Sequence, residues 1–421
     1  MTSALDAPRT MSLRDGGWVL LVAGGLVVVL LIWGLAGALL GREKPLGDGV
    51  NPATYGFDLT DAIIPVRDIV AAAEHREAIR PLDHPAMIDV AEVNRLNAGR
   101  RTKYLVPGDR VIGIVLHGEA RCYPVRMLAW HEVVNDTVGG VPIAVTYNGL
   151  CDSIVVFDRR GLAADAHVSG AGVPPVIPSS EDPILLLRAS GLLHNANTLL
   201  YAALAASAAG PGESAASGTE PAHGGVRGGE SLWSQLRMKA VTGPAARDAL
   251  TLRPVPFTLA RWADWSAAYP DTLVLTNLPD PALQKRYKQR TYGDYFSSDA
   301  LKPEFPVSPL PMDGRPLKTR VIVIQPTDDP ASRRVLALDD LLAEATPSFT
   351  GDRVTGGGGA VTIMLDGVML TLRVHPGEHE EPPTVWVTDD QGRPRLIAHA
   401  FWFGWFAAWP EMTLERPSAR R

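Results

Sequence analysis

The stretch WADWSAAYPD at residues 262–271 recurs near the carboxyl end of the chain as WFGWFAAWPE at residues 402–411. Both copies keep two tryptophans, two alanines and a proline at the same spacing. Apolar residues spaced i, i+3, i+4 and i+7 predict an amphipathic helix at residues 258–269, and the recurrence predicts its counterpart at residues 398–409. We expect the tryptophans of both helices to lie in the core.

Two further motifs recur upstream of these helices in the same order. RVIGI (110–114) is echoed by RVIVI (320–324), and YNGLCDSIVVF (147–157) is echoed by LDGVMLTLRV (365–374). Repetition over so long a period indicates duplication of a domain rather than a solenoid.

The predicted fold is therefore β-rich α+β, with two duplicated halves of paired β-hairpins, each closed by a Trp-rich helix. The first repeat half is assigned to residues 62–300 and the second, degenerate half to residues 315–416. Residues 203–229 are rich in Ala, Gly, Ser and Pro and have few large apolar side chains, which predicts a disordered insert in the first half. In the hairpin at 141–157, Asn148–Gly149 is predicted to be a two-residue turn because both residues tolerate positive φ.

Residues 18–40 read WVLLVAGGLVVVLLIWGLAGALL, without charge or proline. A helix of this length matches a hydrocarbon core about 30 Å thick, which predicts one transmembrane helix between an N-terminal tail (1–17) and a linker (41–61). A cleaved signal peptide is the alternative, because Ala36 and Ala38 form an A-x-A pattern. An uncleaved anchor is favoured, since the apolar region of a signal peptide is usually only about 7–15 residues long.

The lipid bilayer is thus an expected partner of residues 18–40. The positive charges on the two sides of this segment balance, so they do not set its orientation. A short N-terminal tail before a long C-terminal domain is typical of a signal anchor. It predicts a single-pass protein of the cell membrane with the domain on the extracytoplasmic side.

The amino-acid composition argues against several classes of protein. The 421 residues are 46% hydrophobic, enough for a large core, and 40 Lys+Arg against 46 Asp+Glu give a net charge of −6. This balance argues against nucleic acid as a partner, because nucleic-acid binders normally present a basic face. Two cysteines are too few for a disulfide scaffold or a four-cysteine zinc site.

Three kinds of function remain open from the residues. The leading one is a non-catalytic or weakly metal-binding envelope protein. Its candidate site for copper or zinc is His131 and Cys151, a pair of ligand types that suits either metal, with Cys122 and His194 as candidate further ligands. A second is a hydrolase or transferase that uses His131 with Glu132 or Asp136 as acid and base. A third is a structural interaction module, in which His131 would be buried and hydrogen-bonded to backbone. The residues do not specify a protein or small-molecule partner.

The segment GEARCYPVRMLAWHEVVNDTVGGVPIAVTYNGLCDSIVVFDR (118–159), with SGLLHNANTLLY (190–201), ESLWSQ (230–235) and AAYPDTLVL (267–275), resembles the bacterial and archaeal domain of unknown function 3179. The resemblance covers residues 62–300 well and the C-terminal half loosely. Its most specific string is WHEVVNDTVGG. It implies an exported or membrane-anchored protein and no established reaction.

The chain departs from that family in its cysteines. Members usually carry Cys-Pro-Leu-Cys in the second hairpin turn, whereas this chain has Asn148-Gly149-Leu150-Cys151. Cys122 stands where the family more often has a small apolar residue. If the two hairpins are neighbours in one sheet, Cys122 and Cys151 would meet, either as a disulfide or as metal ligands with His131. Two unrelated thiols are the alternative.

Overall fold

The computed structural model describes residues 17–39, 45–76, 78–99, 103–160, 163–164, 184–204, 230–276, 285–287, 289, 291–350, 353–377 and 381–416. The chain has two compact units, Met1–Pro45 and Leu46–Arg421. Apart from residues 203 and 204, the predicted disordered insert lies outside the described residues, as does the predicted tail before residue 17.

The described residues of the first unit form one helix, α1 (Gly17–Leu39). The side chains described in α1 are those of residues 18, 19 and 21–33, and they are exposed. No helix in the described part of the chain is long and apolar enough to cross a membrane.

The described residues of the second unit form short helices and many strands. The further α-helices are α2 (Val90–Asn97), α3 (Val125–His131), α4 (Gly243–Arg247), α5 (Trp262–Ala268), α6 (Gly293–Phe296), α7 (Leu338–Glu344) and α8 (Trp402–Ala408). The strands are β1 (Ile69–Ala71), β2 (Leu82–Asp83), β3 (Met87–Ile88), β4 (Arg110–Leu116), β5 (Glu119–Pro124), β6 (Val133–Val138), β7 (Val141–Asn148), β8 (Ser153–Asp158), β9 (Ala163–Ala164), β10 (Leu185–His194), β11 (Asn197–Leu204), β12 (Trp233–Ser234), β13 (Lys239–Ala240), β14 (Leu250–Thr251), β15 (Thr258–Arg261), β16 (Leu273–Leu275), β17 (Arg320–Ile324), β18 (Arg334–Ala337), β19 (Thr346–Thr350), β20 (Arg353–Leu365), β21 (Val368–His375), β22 (Thr384–Asp389), β23 (Leu396–Phe401) and β24 (Leu414–Glu415).

These strands form three sheets in the described chain. The nine-stranded sheet has the order β19-β20-β21-β22-β15-β4-β5-β16-β3, and the eight-stranded sheet has the order β2-β6-β7-β8-β23-β17-β18-β24. The seven-stranded sheet has the order β1-β10-β11-β12-β13-β14-β9. The predicted β-rich α+β class is therefore confirmed.

One arrangement of four strands occurs in both larger sheets. In the nine-stranded sheet, β4 pairs antiparallel with β5 and β15, and β16 runs parallel to β5. In the eight-stranded sheet, β17 pairs antiparallel with β18 and β23, and β24 runs parallel to β18. Helix α5 connects β15 to β16, and α8 connects β23 to β24. RVIGI and RVIVI thus occupy corresponding strands.

The hairpins join the sheets differently from the prediction. Strand β8 pairs with β23, so β6, β7 and β8 extend the sheet that contains β17. Strand β22 pairs with β15, so β19 to β22 extend the sheet that contains β4. Each Trp-rich helix packs against the first hairpin of its own half, α5 on β4 and α8 on β17, whereas the second hairpins join the other sheet. The predicted two halves of paired hairpins are therefore not confirmed. The helices are also shorter than predicted, because residues 258–261 and 396–401 are strand.

The tryptophans of both helices lie in the core, as expected, but they pack differently. Trp265 lies on Gly113 of β4, where an added Cβ would be 2.1 Å from the ring atom Cζ3. The corresponding residue of β17 is Val323, which shares a hydrophobic cluster with Trp405. Glycine is therefore required at residue 113 by the close approach of an indole ring.

We expect Gly113→Val to lower the free energy of unfolding by about 1–3 kcal/mol, because the valine methyl groups overlap the Trp265 ring. Urea unfolding of the full chain measures the change. The matched control is the double variant with Trp265→Leu, in which valine should cost less because the ring is gone. Equal midpoints for Gly113→Val and the wild type would contradict this packing.

Candidate functional site

The loop between β7 and β8, residues 149–152, lies at the centre of the candidate site. The predicted two-residue turn at Asn148–Gly149 is wrong, because Asn148 pairs with Ser153 and leaves four residues in the loop. Positive φ occurs at Asp152 (43°) and not at Gly149. Gly149 is instead required by Tyr292, whose ring atom Cε2 would be 2.0 Å from an added Cβ.

The Asp152 carboxylate is fully buried and binds two arginines. Arg110 Nη1 donates to Oδ1 at 3.1 Å, and Arg320 Nε donates to Oδ2 at 2.9 Å. The Tyr147 hydroxyl donates to Oδ1 at 3.2 Å. Burial alone would raise the pKa of Asp152, but Arg110 and Arg320 outweigh it and hold the pKa well below its ordinary value. Asp152 is therefore ionised and fixes the loop to β4 and β17, the strands that begin with these arginines.

A cavity of about 470 Å³ lies beside this loop. One part of its lining comes from residues 72–73 and 191–193, which are mostly small or apolar. Another part comes from residues 291–308, which we call the strap. The remaining lining residues are the polar Glu132, Asn148 and Thr198 and the apolar Ile79 and Leu150.

Glu132 follows the last residue of α3 and has an unusual backbone conformation, with φ 54° and ψ −32°. Its N–H donates to Leu128 O at 2.7 Å, and its carbonyl accepts from Tyr147 N at 2.8 Å. These two bonds hold a backbone conformation that costs a residue with a side chain of order 1–3 kcal/mol. Such strain is concentrated at functional sites and directs attention to this residue.

The Glu132 side chain is partly buried and lines the cavity. The Thr198 hydroxyl donates to Oε2 at 3.1 Å. Burial raises the pKa of Glu132 to about 7, and the Thr198 hydrogen bond opposes that shift only in part. Both the acid and the carboxylate are therefore populated near neutral pH, as a group that exchanges protons requires.

The strap is held in place at several points. Lys318 Nζ donates to Tyr295 O at 2.6 Å and to Ala300 O at 2.8 Å, and burial lowers the pKa of Lys318 to about 8. Farther along, Asn195 Nδ2 donates to Ser308 O at 3.0 Å, and Ser308 N donates to Asn195 Oδ1 at 2.9 Å. The strap wall of the cavity is therefore anchored to Lys318, which precedes β17, and to the β10–β11 turn.

A second cavity of about 1070 Å³ shares Thr291, Tyr292 and Asp294 with the first. Its lining also includes Arg110 and Arg320. The strap thus contributes to two neighbouring cavities, and Tyr292 lies at their common border.

Two of the predicted metal ligands, His131 and Cys151, form hydrogen bonds to other groups of the protein, and His194 is buried. His131 Nδ1 is 2.8 Å from Arg80 O, and its Nε2 is 2.6 Å from the Tyr287 hydroxyl. The Cys151 thiol is fully buried and donates to Ala196 O at 3.4 Å, and burial raises its pKa. His194 is buried, which lowers its pKa to about 4.

In the described part of the chain, no three His, Cys, Asp or Glu residues converge as metal ligands. The structure therefore does not bring together His131, Cys151, Cys122 and His194 as one such group.

The condition for a pair between Cys122 and Cys151, that their hairpins are neighbours in one sheet, is not met. Cys122 lies in β5 of the nine-stranded sheet, in the hydrophobic cluster of Trp265. Cys151 follows β7 of the eight-stranded sheet and packs in a separate cluster with Phe403. Both thiols are free and buried. Local hairpin signals do not specify which sheet a hairpin joins.

Among the predicted acid–base residues, Asp136 has its own partners. Arg121 Nη1 donates to Oδ1 at 2.5 Å, and the Tyr123 hydroxyl donates to Oδ2 at 2.7 Å. Glu132 is the one of the three that lines the cavity of about 470 Å³. Sequence reasoning did not find Arg110, Arg320 or Tyr292; the arginine that begins both RVIGI and RVIVI was the available signal for the first two.

Comparison with protein families identifies a family to which the chain is similar over most of its length. The sequence profile of the family described as Protein of unknown function (DUF3179) matches residues 76–207 and 227–412. The chain belongs to this family. The matched residues of this DUF3179 chain include Glu132, the 149–152 loop and both arginines that bind Asp152. No curated protein and no solved structure gives a significant match.

We expect Asp152→Asn in this DUF3179 protein to lower the free energy of unfolding by about 3–5 kcal/mol, because it leaves two guanidinium groups without a buried counter-ion. Asn tolerates the positive φ of Asp152, so the change isolates the charge. Because the pKa of Asp152 is depressed in the folded state, its contribution is present above about pH 4 and is lost as the pH falls further. Urea unfolding at several pH values measures the difference.

The matched control is Asp366→Asn in the β20–β21 turn. Asp366 has φ 48° and pairs with Arg334 at 2.6 Å, but its side chain is 35% exposed. An exposed pair contributes about 0–1 kcal/mol, so this variant should change little. Similar losses of unfolding free energy in the two variants would contradict a special contribution of the buried ion pairs of Asp152.

Proposed function

We propose that this chain is an acid–base enzyme, a hydrolase or a transferase, in which Glu132 exchanges protons with a small molecule in the cavity. One observation carries the proposal. Glu132 lines a cavity of about 470 Å³ from a strained backbone position, with its pKa raised to about 7. This cavity volume lies within the range of about 300–1,000 Å³ that is common for ligand sites.

The chemistry follows from the two forms of Glu132. In hydrolysis, the carboxylate removes a proton from water as the water oxygen forms a bond to the substrate. The resulting carboxylic acid then gives that proton to the leaving group as its bond to the substrate breaks. In a transferase, an acceptor hydroxyl or amine takes the place of water. A pKa near the working pH serves both half-steps, since each form is available when it is needed.

His131 acts in this proposal as a positioning residue rather than a base. Its ring nitrogens contact Arg80 O and the Tyr287 hydroxyl, which fixes the end of α3 immediately before Glu132. We do not propose the copper or zinc site, because both ring nitrogens of His131 already have protein partners.

A structural interaction module is the second candidate. It is favoured by His131, which is buried and hydrogen-bonded to a backbone carbonyl. This candidate assigns no chemical role to Glu132, so the same variant separates the two functions.

We expect Glu132→Gln to lower kcat by about 10²–10⁴-fold, because an amide cannot exchange a proton at neutral pH. The full-length chain is assayed against ester, amide, glycoside and phosphoester model substrates between pH 5.5 and 8.5. For the substrate class that reacts, the plot of kcat against pH should change slope near pH 7 in the wild type and not in the variant. The control is Glu74→Gln, an exposed glutamate next to the cavity-lining residues 72–73. Equal activity of Glu132→Gln and wild type would favour the interaction module.

The same pair of proteins tests the titration of Glu132 without a substrate. A raised pKa means that the folded state binds more protons than the unfolded state between about pH 4.5 and 7, so this group's contribution to stability falls as the pH rises through that window. The amide of the Glu132→Gln variant cannot ionise. The variant should therefore gain stability relative to wild type from pH 5 to pH 8, and a constant difference would place the Glu132 pKa outside this range.

We also propose that residues 18–40 anchor the chain in the lipid bilayer, with the second unit on the extracytoplasmic side. The support is the uncharged sequence and the exposure of large apolar side chains along α1, such as Leu21 at 67% and Trp33 at 76%. Apolar surface of this extent is otherwise costly in water.

Deletion of residues 1–44 should give a folded, soluble protein, because the second unit begins at Leu46. Fractionation after an alkaline wash measures this. The full-length chain is expected in the membrane pellet and the truncated chain in the supernatant. A truncated chain that remains in the pellet would show that residues 18–40 are not the whole anchor.

We further infer that the two four-strand arrangements arose by internal duplication, with the hairpins exchanged between the copies. The support is the shared strand order together with the recurring RVIGI/RVIVI and tryptophan motifs.

A further inference from the structure

We infer that the cavity at Glu132 takes a small organic cation, an amine, whose ammonium group supplies the positive partner of the Glu132 carboxylate. The inference rests on the proposed function and adds the class of substrate to it. Its basis is the distribution of charge and aromatic rings around the cavity.

The charges around the cavity favour a cation. Within the described residues, no Arg, Lys or His forms an ion pair with Glu132, whose carboxyl accepts a hydrogen bond from Thr198. Asp294 places a second carboxylate in the lining. Lys302 also lines the cavity, but its Nζ is 3.7 Å from Glu304 and its side chain is 45% exposed. An ionised carboxylate removed from water is costly without a partner, and a cationic ligand would remove that cost.

The opposite part of the lining offers no competing charge. Residues 72–73 and 191–193 are alanine, glycine and leucine. The ammonium of Lys318, which contacts the strap, is engaged by the backbone carbonyls of Tyr295 and Ala300. An anionic ligand would therefore meet two carboxylates, and a neutral ligand would give the Glu132 carboxylate no positive partner.

Aromatic rings supply the second element of ammonium recognition. Tyr292, Tyr295 and Phe305 all line the cavity. Ring faces attract ammonium groups, an interaction of about 0.5–2 kcal/mol that is stronger when water is excluded. Lys318 Nζ already lies 3.3 Å from the centre of the Tyr295 ring. Carboxylate and aromatic rings around one space are the chemistry that selects an amine over an alcohol of the same shape.

Proton release is the signature of this binding mode. A bound ammonium group stabilises the carboxylate and so lowers the pKa of Glu132. Below pH 7 the Glu132 carboxyl of the free protein is mostly protonated, so binding of an ammonium group releases that proton. Above pH 7 the carboxyl is mostly ionised before binding, and few protons are released. Affinity for an amine should accordingly rise with pH up to about 7 and then level off.

The probes are benzylamine, benzyl alcohol and benzoate, which share a ring and differ in charge. Calorimetric titration of the full-length chain at pH 6 and pH 8, in two buffers with different ionisation enthalpies, gives both affinity and protons released. We expect benzylamine to bind about tenfold tighter than benzyl alcohol, and benzoate to bind weakest. Close to one proton should be released at pH 6 and almost none at pH 8.

Two variants assign the effect. Glu132→Gln should abolish both the preference for benzylamine and the proton release. Asp294→Asn should lower the affinity for benzylamine a few-fold and leave the number of protons released unchanged. No binding of benzylamine at millimolar concentration, or equal or tighter binding of benzyl alcohol or benzoate, overturns the inference. If Glu132→Gln is inactive while a neutral or anionic probe is preferred, the acid–base function stands and only the amine is wrong; full activity of Glu132→Gln removes the function itself.

Discussion

The buried carboxylate of Asp152 is the interaction on which the rest of the second unit depends. It lies between Arg110 and Arg320, the first residues of corresponding strands in the two larger sheets. A charge so far from water is tolerable only when its partners stay in place, because loss of either side leaves an unpaired ion in the interior. One side chain thus ties the 149–152 loop to the nine-stranded sheet and to the eight-stranded sheet.

The cavity depends on that tie. With the loop fixed, Gly149 presents a flat surface to Tyr292, and the strap that carries Tyr292 is anchored again by Lys318 and by Asn195. Glu132 accepts a backbone hydrogen bond from Tyr147, whose hydroxyl binds Asp152. Its strained backbone is therefore supported by the same ion cluster that holds the loop. The backbone geometry of Glu132 thus depends on a contact with strand β7.

Local patterns in the sequence were enough to predict several strands and helices, but they did not predict which strands pair with each other. The recurring motifs predicted the strands that begin at Arg110 and Arg320 and the two helices with buried tryptophans. They could not indicate that β8 would pair with β23 and β22 with β15, because strand alternation records which face is buried and not which neighbour is bonded. The Asn148–Gly149 prediction failed for a related reason. Glycine is required at residue 149 by the close approach of the Tyr292 ring and not by the φ angle of a turn. Glu132 was named as a candidate from the neighbouring His131, whereas its raised pKa and its place in a cavity depend on residues far away in the chain.

The exchange of hairpins has a consequence for how the protein is made. The pairs β8–β23 and β22–β15 join segments that are far apart in the sequence, and such contacts form late and slow the folding of a chain. During synthesis, β8 and β15 each keep an unbonded edge until residues 384–401 emerge from the ribosome. Bare edges of this kind pair readily with other chains, so the nascent protein is exposed to aggregation from the synthesis of β8 until the synthesis of β23. Strands β22 and β23 supply the missing partners of β15 and β8.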